Sequence, residues 1–194
     1  RVKTPTVLQM EMVDCGAAAL GIILAYYGRI VPLAQLRQEC GVSRDGSSAV
    51  HLMQVARHYG LVAKAFTKTV EGVQELRCPY IIFWNFNHFV VVEGFRHNRV
   101  YLNDPVWGPR TVTIEEFDRA FTGVVLVMEP GPTFTPGGRH PSMLRALSTR
   151  LQGSMWALVY CCCAGVLVLV PSLALPVFTQ IFVDAIVSQG SQEW

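Results

Sequence analysis

Four residues have the types and spacing for acyl-transfer chemistry: Gln9, Cys15, His88 and Asp104. Cys15 opens the apolar run Gly16-Ala17-Ala18-Ala19-Leu20, which predicts a thiol in the first turn of a buried helix. Helix N-terminal amides favour negative charge, so a thiol there ionises more easily and becomes nucleophilic. His88 follows the Asn85-Phe86-Asn87 turn at the start of an expected strand, and Asp104 ends the next strand before Pro105. A hairpin about His97-Asn98 would bring His88 and Asp104 near each other, within one or two residues of register that sequence does not set. A carboxylate beside the imidazole would hold its tautomer and leave the other ring nitrogen for the thiol. Gln9, six residues before Cys15, could hold an oxyanion together with the Cys15 backbone N–H. Taken singly each residue has a plainer explanation: an inert buried cysteine, a satisfied core histidine, an Asp-Pro turn, an exposed glutamine. His51, His58, His97 and His140 fall on surface helix, turn or linker positions.

Those four residues need a scaffold, and the pattern supplies one. Residues 14–27 are apolar almost all round, which predicts a central helix closed by Gly28. Residues 32–39 read as a short helix with proline in its first turn, and 49–59 as a third, capped by Ser48 and stopped by Gly60. Residues 61–67 alternate as a strand, and 70–76 form a short helix. Strands follow at 80–84, 88–95, 99–103 and 110–112. Thr113 with Glu116 starts a helix over 113–121 in capping-box fashion, and 123–128 is a last apolar strand. Helices first and an antiparallel sheet second make an α+β fold.

Composition divides the chain. Of 194 residues 51% are hydrophobic and 15% charged, against about 25% charged in ordinary soluble domains. The deficit is local: residues 151–183 contain no Asp, Glu, Lys or Arg. Residues 1–129 carry 13 basic and 12 acidic side chains, a balance that excludes a nucleic-acid-binding face. Residues 130–150 are a Pro/Gly-rich linker with three arginines and no acidic residue. Residues 151–187 are expected to form one transmembrane helix, kinked by Pro171 and Pro176, and 188–194 an extracytoplasmic stub. Arg139, Arg145 and Arg150 before the span, with Asp184 and Glu193 after it, place residues 1–129 in the cytoplasm. The six cysteines show no metal-ligand spacing and no paired framework, and no secretory signal opens the chain, so a reducing compartment is expected.

The run from Val7 to Leu20, with Gln9 and the Asp14-Cys15-Gly16 step, resembles the opening of the double-glycine leader peptidase domain of bacteriocin-exporting ABC transporters. The resemblance continues through Tyr26-Tyr27-Gly28, Asp45-Gly46, Asn87-His88-Phe89, Asn103-Asp104-Pro105 and Phe121-Thr122-Gly123. It implies a papain-like cysteine peptidase in which Cys15 is the nucleophile, His88 the general base, Asp104 its orienting partner and Gln9 the oxyanion-hole donor. It implies a precursor peptide with a double-glycine leader as substrate, and no metal or organic cofactor. It also implies a homodimeric transporter in the bacterial cytoplasmic membrane, with residues 176–184 resembling the end of an exporter's first transmembrane helix. ATP would serve only a nucleotide-binding domain, and the sequence has no Gly-Lys phosphate-binding loop among Lys3, Lys64 and Lys68. The chain is therefore expected to be the N-terminal part of such a transporter. Two other readings stay open: a non-catalytic domain that only docks leaders, and a Cys-His-Asp transferase.

Overall fold

The apolar run after Cys15 folds into α1 (Cys15–Tyr26), with every residue from Cys15 to Leu24 buried. A 3-10 turn, Met12–Asp14, leads into it, and Gly28 at φ +88° turns the chain away. The computed structural model describes residues 1–44, 46–138 and 155–183. The chain divides into two compact units, Arg1–His140 and Pro141–Trp194.

In the first unit α2 (Leu33–Glu39) and α3 (Ala49–His58) pack beside α1. Ser48 caps α3 by accepting the His51 backbone N–H at 3.2 Å. The strands are β1 (Leu61–Thr67), β2 (Tyr80–Trp84), β3 (His88–Arg96), β4 (Arg99–Asp104), β5 (Gly108–Thr113) and β6 (Phe121–Pro130). They form one antiparallel sheet in the order β1-β6-β2-β3-β4-β5. The last strand in sequence therefore lies inside the sheet, between the first two. Its two-sided apolar character, Val124 to Met128, suits that place.

The core has two parts, one on each face of the sheet. On one face α1 with Leu36 and Leu52 covers Ile81, Phe89, Val91 and Leu126. On the other, α4 (Val70–Gln74) and α5 (Ile114–Ala120) supply Val70, Val73 and Phe117 to cover Tyr80, Ile82, Val90 and Leu102. The α+β class read from sequence holds, but helices flank the sheet on both sides rather than preceding it. Element ends move by a few residues: the last strand is Phe121–Pro130 rather than 123–128, and β5 starts at Gly108 rather than 110. Thr113 is the cap of α5, accepting the Glu116 N–H at 3.1 Å, rather than its first residue.

The second unit contains α6 (Met155–Phe182), 28 residues that include an 18-residue stretch of mean hydropathy 2.4, long and apolar enough to cross a membrane. At 1.5 Å per residue it is about 42 Å long, more than the ~30 Å hydrocarbon core. Pro171 and Pro176 lie within this helix. The Ser172 and Thr179 hydroxyls donate back to the carbonyls of Val168 and Leu175, each at 2.9 Å. Asp45, Arg139, Arg145, Arg150, the expected span start at Leu151, the flanking Asp184 and Glu193, and residues 188–194 lie outside the described residues.

Candidate active site

The site begins with a register. The β3–β4 hairpin turns through His97 and Asn98 at φ +48° and +58°, with Arg96 paired to Arg99. Counting regularly outward from that turn would set Asp104 opposite Val91, on the α1 face. The pairing does not stay regular: Gly94 pairs with Tyr101 but Val92 pairs with Leu102, so Glu93 is an extra residue in a β-bulge. Beyond it Val91 pairs with Asn103, which puts Asp104 opposite Val90 and on the same face as His88.

Buried contacts hold the bulge. The Glu93 carboxylate, 2% exposed, accepts the Thr4 backbone N–H and the Thr4 hydroxyl at 2.9 Å each. Gly94 adopts φ +146°, and a Cβ there would meet the Arg1 backbone at 2.6 Å. Asn103 donates to Thr4 Oγ1 at 2.8 Å, and the Gln9 backbone N–H donates to Pro105 O at 2.9 Å. The N-terminal arm is thus tied along β3 and β4, which carries Gln9 to the end of the sheet.

At that end His88 Nε2 meets Asp104 Oδ1 at 2.8 Å. The same oxygen accepts the Val106 backbone N–H at 2.9 Å. Asp104 Oδ2 faces Arg110 Nε at 3.1 Å, an ion pair without the alignment of a hydrogen bond. The Arg110 guanidinium lies 5.4 Å from the Trp84 ring centroid. Trp84, His88, Asp104 and Arg110 therefore form a row across four adjacent strands, on the face away from α1. With Nε2 committed to Asp104, Nδ1 is the ring nitrogen left to face Cys15, whose sulfur in the first turn of α1 is near enough to His88 for the two to shift each other's pKa.

The electrostatics follow from these contacts. Burial alone would raise the Cys15 pKa, but His88 and the amides of Phe89 and Gly16 outweigh it and hold the thiol below its ordinary value. Cys40 and Cys78 lack such partners, and burial pushes them up to about 12 and about 11. Burial works against the His88 cation too, yet Asp104 and the Cys15 sulfur raise its pKa to about 9. Burial opposes the Asp104 charge, while His88, the Val106 N–H and Arg110 keep the carboxyl below the usual carboxylate range. Both shifts run toward the charged forms, a thiolate beside an imidazolium, and the two groups titrate as a coupled pair.

Two clefts open at this end of the sheet. One, of about 530 Å³, is lined by Cys15, Val13, Ser47, Phe83 and Phe89 among others. The other, of about 280 Å³, contains Gln9, Trp84, His88, Asp104 and Trp107. Met12 and Asn87 wall both. Cys15, His88 and Asp104 are thus brought together, whereas Gln9 lines the second cleft, with His88, rather than the one lined by Cys15. The small residues after Cys15 do not line either cleft. A Cβ on Gly16 would meet Leu52 at 3.1 Å and Phe89 at 3.3 Å, so Gly16 lets α1 pack closely against its neighbours.

Sequence reasoning missed Arg110, Trp84, Trp107 and the Phe89 amide. It also missed Glu93, although an acidic residue and a glycine inside the apolar run from Phe89 to Phe95 are the signature of a bulge. Among the described residues no cluster of three His, Cys, Asp or Glu side chains could hold a metal ion.

This architecture is that of cysteine peptidase domains found in transporters. The chain resembles the crystal structure of a double-glycine-motif protease from an AMS/PCAT transporter in complex with its leader peptide. The TM-score is 0.66 and the identity 50%, covering 67% of this chain and 94% of that one. It shares the fold of the peptidase domain of Streptococcus ComA, with a TM-score of 0.62 and 23% identity over 67% of this chain and 99% of that one. The chain belongs to the Peptidase C39 family, which it matches over residues 3–133. It is also 30% identical, over 98% of its length, to the colicin V secretion/processing ATP-binding protein CvaB of Escherichia coli, of which it spans 27%.

Proposed function

We propose that residues 1–129 are a cysteine endopeptidase that removes the leader from double-glycine precursor peptides, with Cys15, His88 and Asp104 as its triad. The observation that carries this reading is the chain of contacts from Cys15 through His88 to Asp104, placed where two clefts meet. The Cys15 thiolate attacks the carbonyl of the second glycine, and the bond to the first cargo residue breaks. Gln9 and the Cys15 backbone N–H hold the oxyanion. The His88 imidazolium gives its proton to the leaving amine, and His88 then takes a proton from the water that hydrolyses the thioester. Asp104 keeps the ring oriented throughout. A thiolate and an imidazolium supply all the chemistry, so the reaction calls for no metal or organic cofactor.

The same reading places the protein in the bacterial cytoplasmic membrane through α6, with the peptidase facing the cytoplasm. There it works as part of a dimeric ABC transporter that exports the freed peptide. The relatives support this, being secretion and processing ATP-binding proteins of which the chain spans about a quarter.

The test is cleavage of a precursor carrying Gly-Gly before its cargo, by the full chain and by Cys15→Ala. Cleavage by the parent and about 10⁴-fold or greater loss in the variant are expected. If Cys15→Ala cleaves equally well, the nucleophile assignment is wrong. If neither cleaves while both bind the leader, the domain docks leaders without cutting them, and an amine acceptor captured in the product would instead mark a transferase.

A further inference from the structure

The two clefts differ in which reacting group they contain. The larger is lined by Cys15 and not His88, and the smaller by His88 and not Cys15. In the reaction above, the carbonyl side of the cut bond stays on the sulfur, while the amine side must receive its proton from His88. A general acid has to be within hydrogen-bond reach of the atom it protonates. The leaving half of the substrate therefore belongs on the His88 side.

Resting on the peptidase reading, we propose that the 280 Å³ cleft receives the first residue of the cargo, and that Trp107 selects a bulky apolar side chain there. The walls have the matching chemistry. Trp107 is 77% exposed, Val106 42% and Met12 89%, three large apolar side chains left open around one small cleft. The charges in the cleft already have partners: Asp104 is paired with His88 and Arg110, and Arg110 also lies over Trp84. A charged cargo side chain would lose water here without gaining an opposite charge, whereas an apolar one would cover the indole.

The platform is also fixed in advance. Val106 is held by its N–H bond to Asp104 Oδ1, and Gly108 at φ +76° closes the turn that carries Trp107 into β5. The carboxylate that orients His88 thus also sets the turn presenting Trp107, which keeps the proton donor and the cargo residue in one frame.

The experiment uses the full chain in detergent and synthetic precursors that differ only in the residue after Gly-Gly: Leu, Phe, Gly, Asp or Lys. We expect kcat/KM for Leu and Phe to exceed that for Asp by about tenfold or more, within the range an apolar pocket discriminates. Trp107→Ala should bring that ratio close to one, and Trp107→Phe should keep most of it. A leader peptide ending at the second glycine should inhibit the parent and Trp107→Ala equally, since it does not enter this cleft. An unchanged ratio in Trp107→Ala overturns the subsite while leaving the peptidase reading intact. Weaker inhibition by the leader in Trp107→Ala also overturns it, because the leader would then occupy the cleft. If the parent cleaves none of the precursors, the peptidase reading fails and the subsite with it.

Discussion

Two hairpins share β3, and only one of them is regular. Between β2 and β3 the pairing runs without a break from Tyr80–Val92 to Trp84–His88, closed by the Asn85-Phe86-Asn87 turn. Between β3 and β4 a tight turn at His97-Asn98 is followed by the Glu93 bulge. The regular hairpin sets Trp84 beside His88 by period-two alternation alone. The bulged one sets Asp104 beside His88 only because one extra residue moves it to the other face. The hairpin with the simpler local signal gives His88 a neighbour, and the irregular one gives it the carboxylate its chemistry needs.

The largest expected effect comes from removing the irregularity. Glu93→Val takes away the carboxylate that Thr4 holds, and regular pairing counted from the turn would then put Asp104 opposite Val91. Cleavage should then fall by about 10³–10⁴-fold, the scale of losing a triad member. Precursor cleavage measures this, with circular dichroism reporting whether the sheet is retained. A Glu93→Val variant that folds and cleaves like the parent would break the link between bulge and triad.

Removing only the charge should do less. Asp104→Asn takes away the hydrogen bond and the attraction that raise His88 to about 9. The imidazolium is lost as pH rises through its pKa, so the alkaline limb of kcat/KM should move down from near 9 toward the ordinary histidine value of about 6.5. The weaker imidazolium also supports the thiolate less, so the acid limb should move up and the active window narrow from both sides. Activity at the optimum should fall by about 10²-fold. A pH–rate profile with unmoved limbs would show that Asp104 does not set the state of His88.

Next in size is the glycine of the bulge. Gly94→Ala places a methyl at φ +146° against the Arg1 backbone, and should cost about 1–3 kcal/mol in urea unfolding. Smallest of all is the turn. Asn98→Gly, at φ +58° in the regular closure of the same hairpin, should change stability by no more than about 0.5 kcal/mol and leave cleavage unchanged. A larger effect there than at Gly94 would mean that the turn, not the bulge, fixes the register.

Much of the scaffold was legible because its signals are local. The all-round apolar run after Cys15 could only be a buried helix. Ser48 and Thr113 announced their helices, and the Asn85–Asn87 and His97-Asn98 turns marked the hairpins. The candidate residues Gln9, Cys15, His88 and Asp104 were legible from the pattern of a known family. Arg110 and Trp107 were not, because nothing in their own neighbourhood distinguishes an arginine or tryptophan on a strand or turn from a surface one. Their position comes from the β4–β5 register, Leu102 opposite Arg110 and Asp104 opposite Gly108. The central place of β6 was equally hidden, since sheet order depends on which strands meet rather than on any strand's composition.

By itself the sequence determined which segments are helices and strands, which stretch is apolar enough for a membrane, and which four side chains were worth bringing together. Those are matters of periodicity, capping and residue type, each decided within a few turns of chain. Only the tertiary structure decided that Asp104 reaches His88. That depends on Glu93, pinned by Thr4 from the N-terminal arm, shifting a pairing register by one residue. Strand alternation has a period of two, so a single residue's shift exchanges the faces, and no local signal in β3 or β4 can report it.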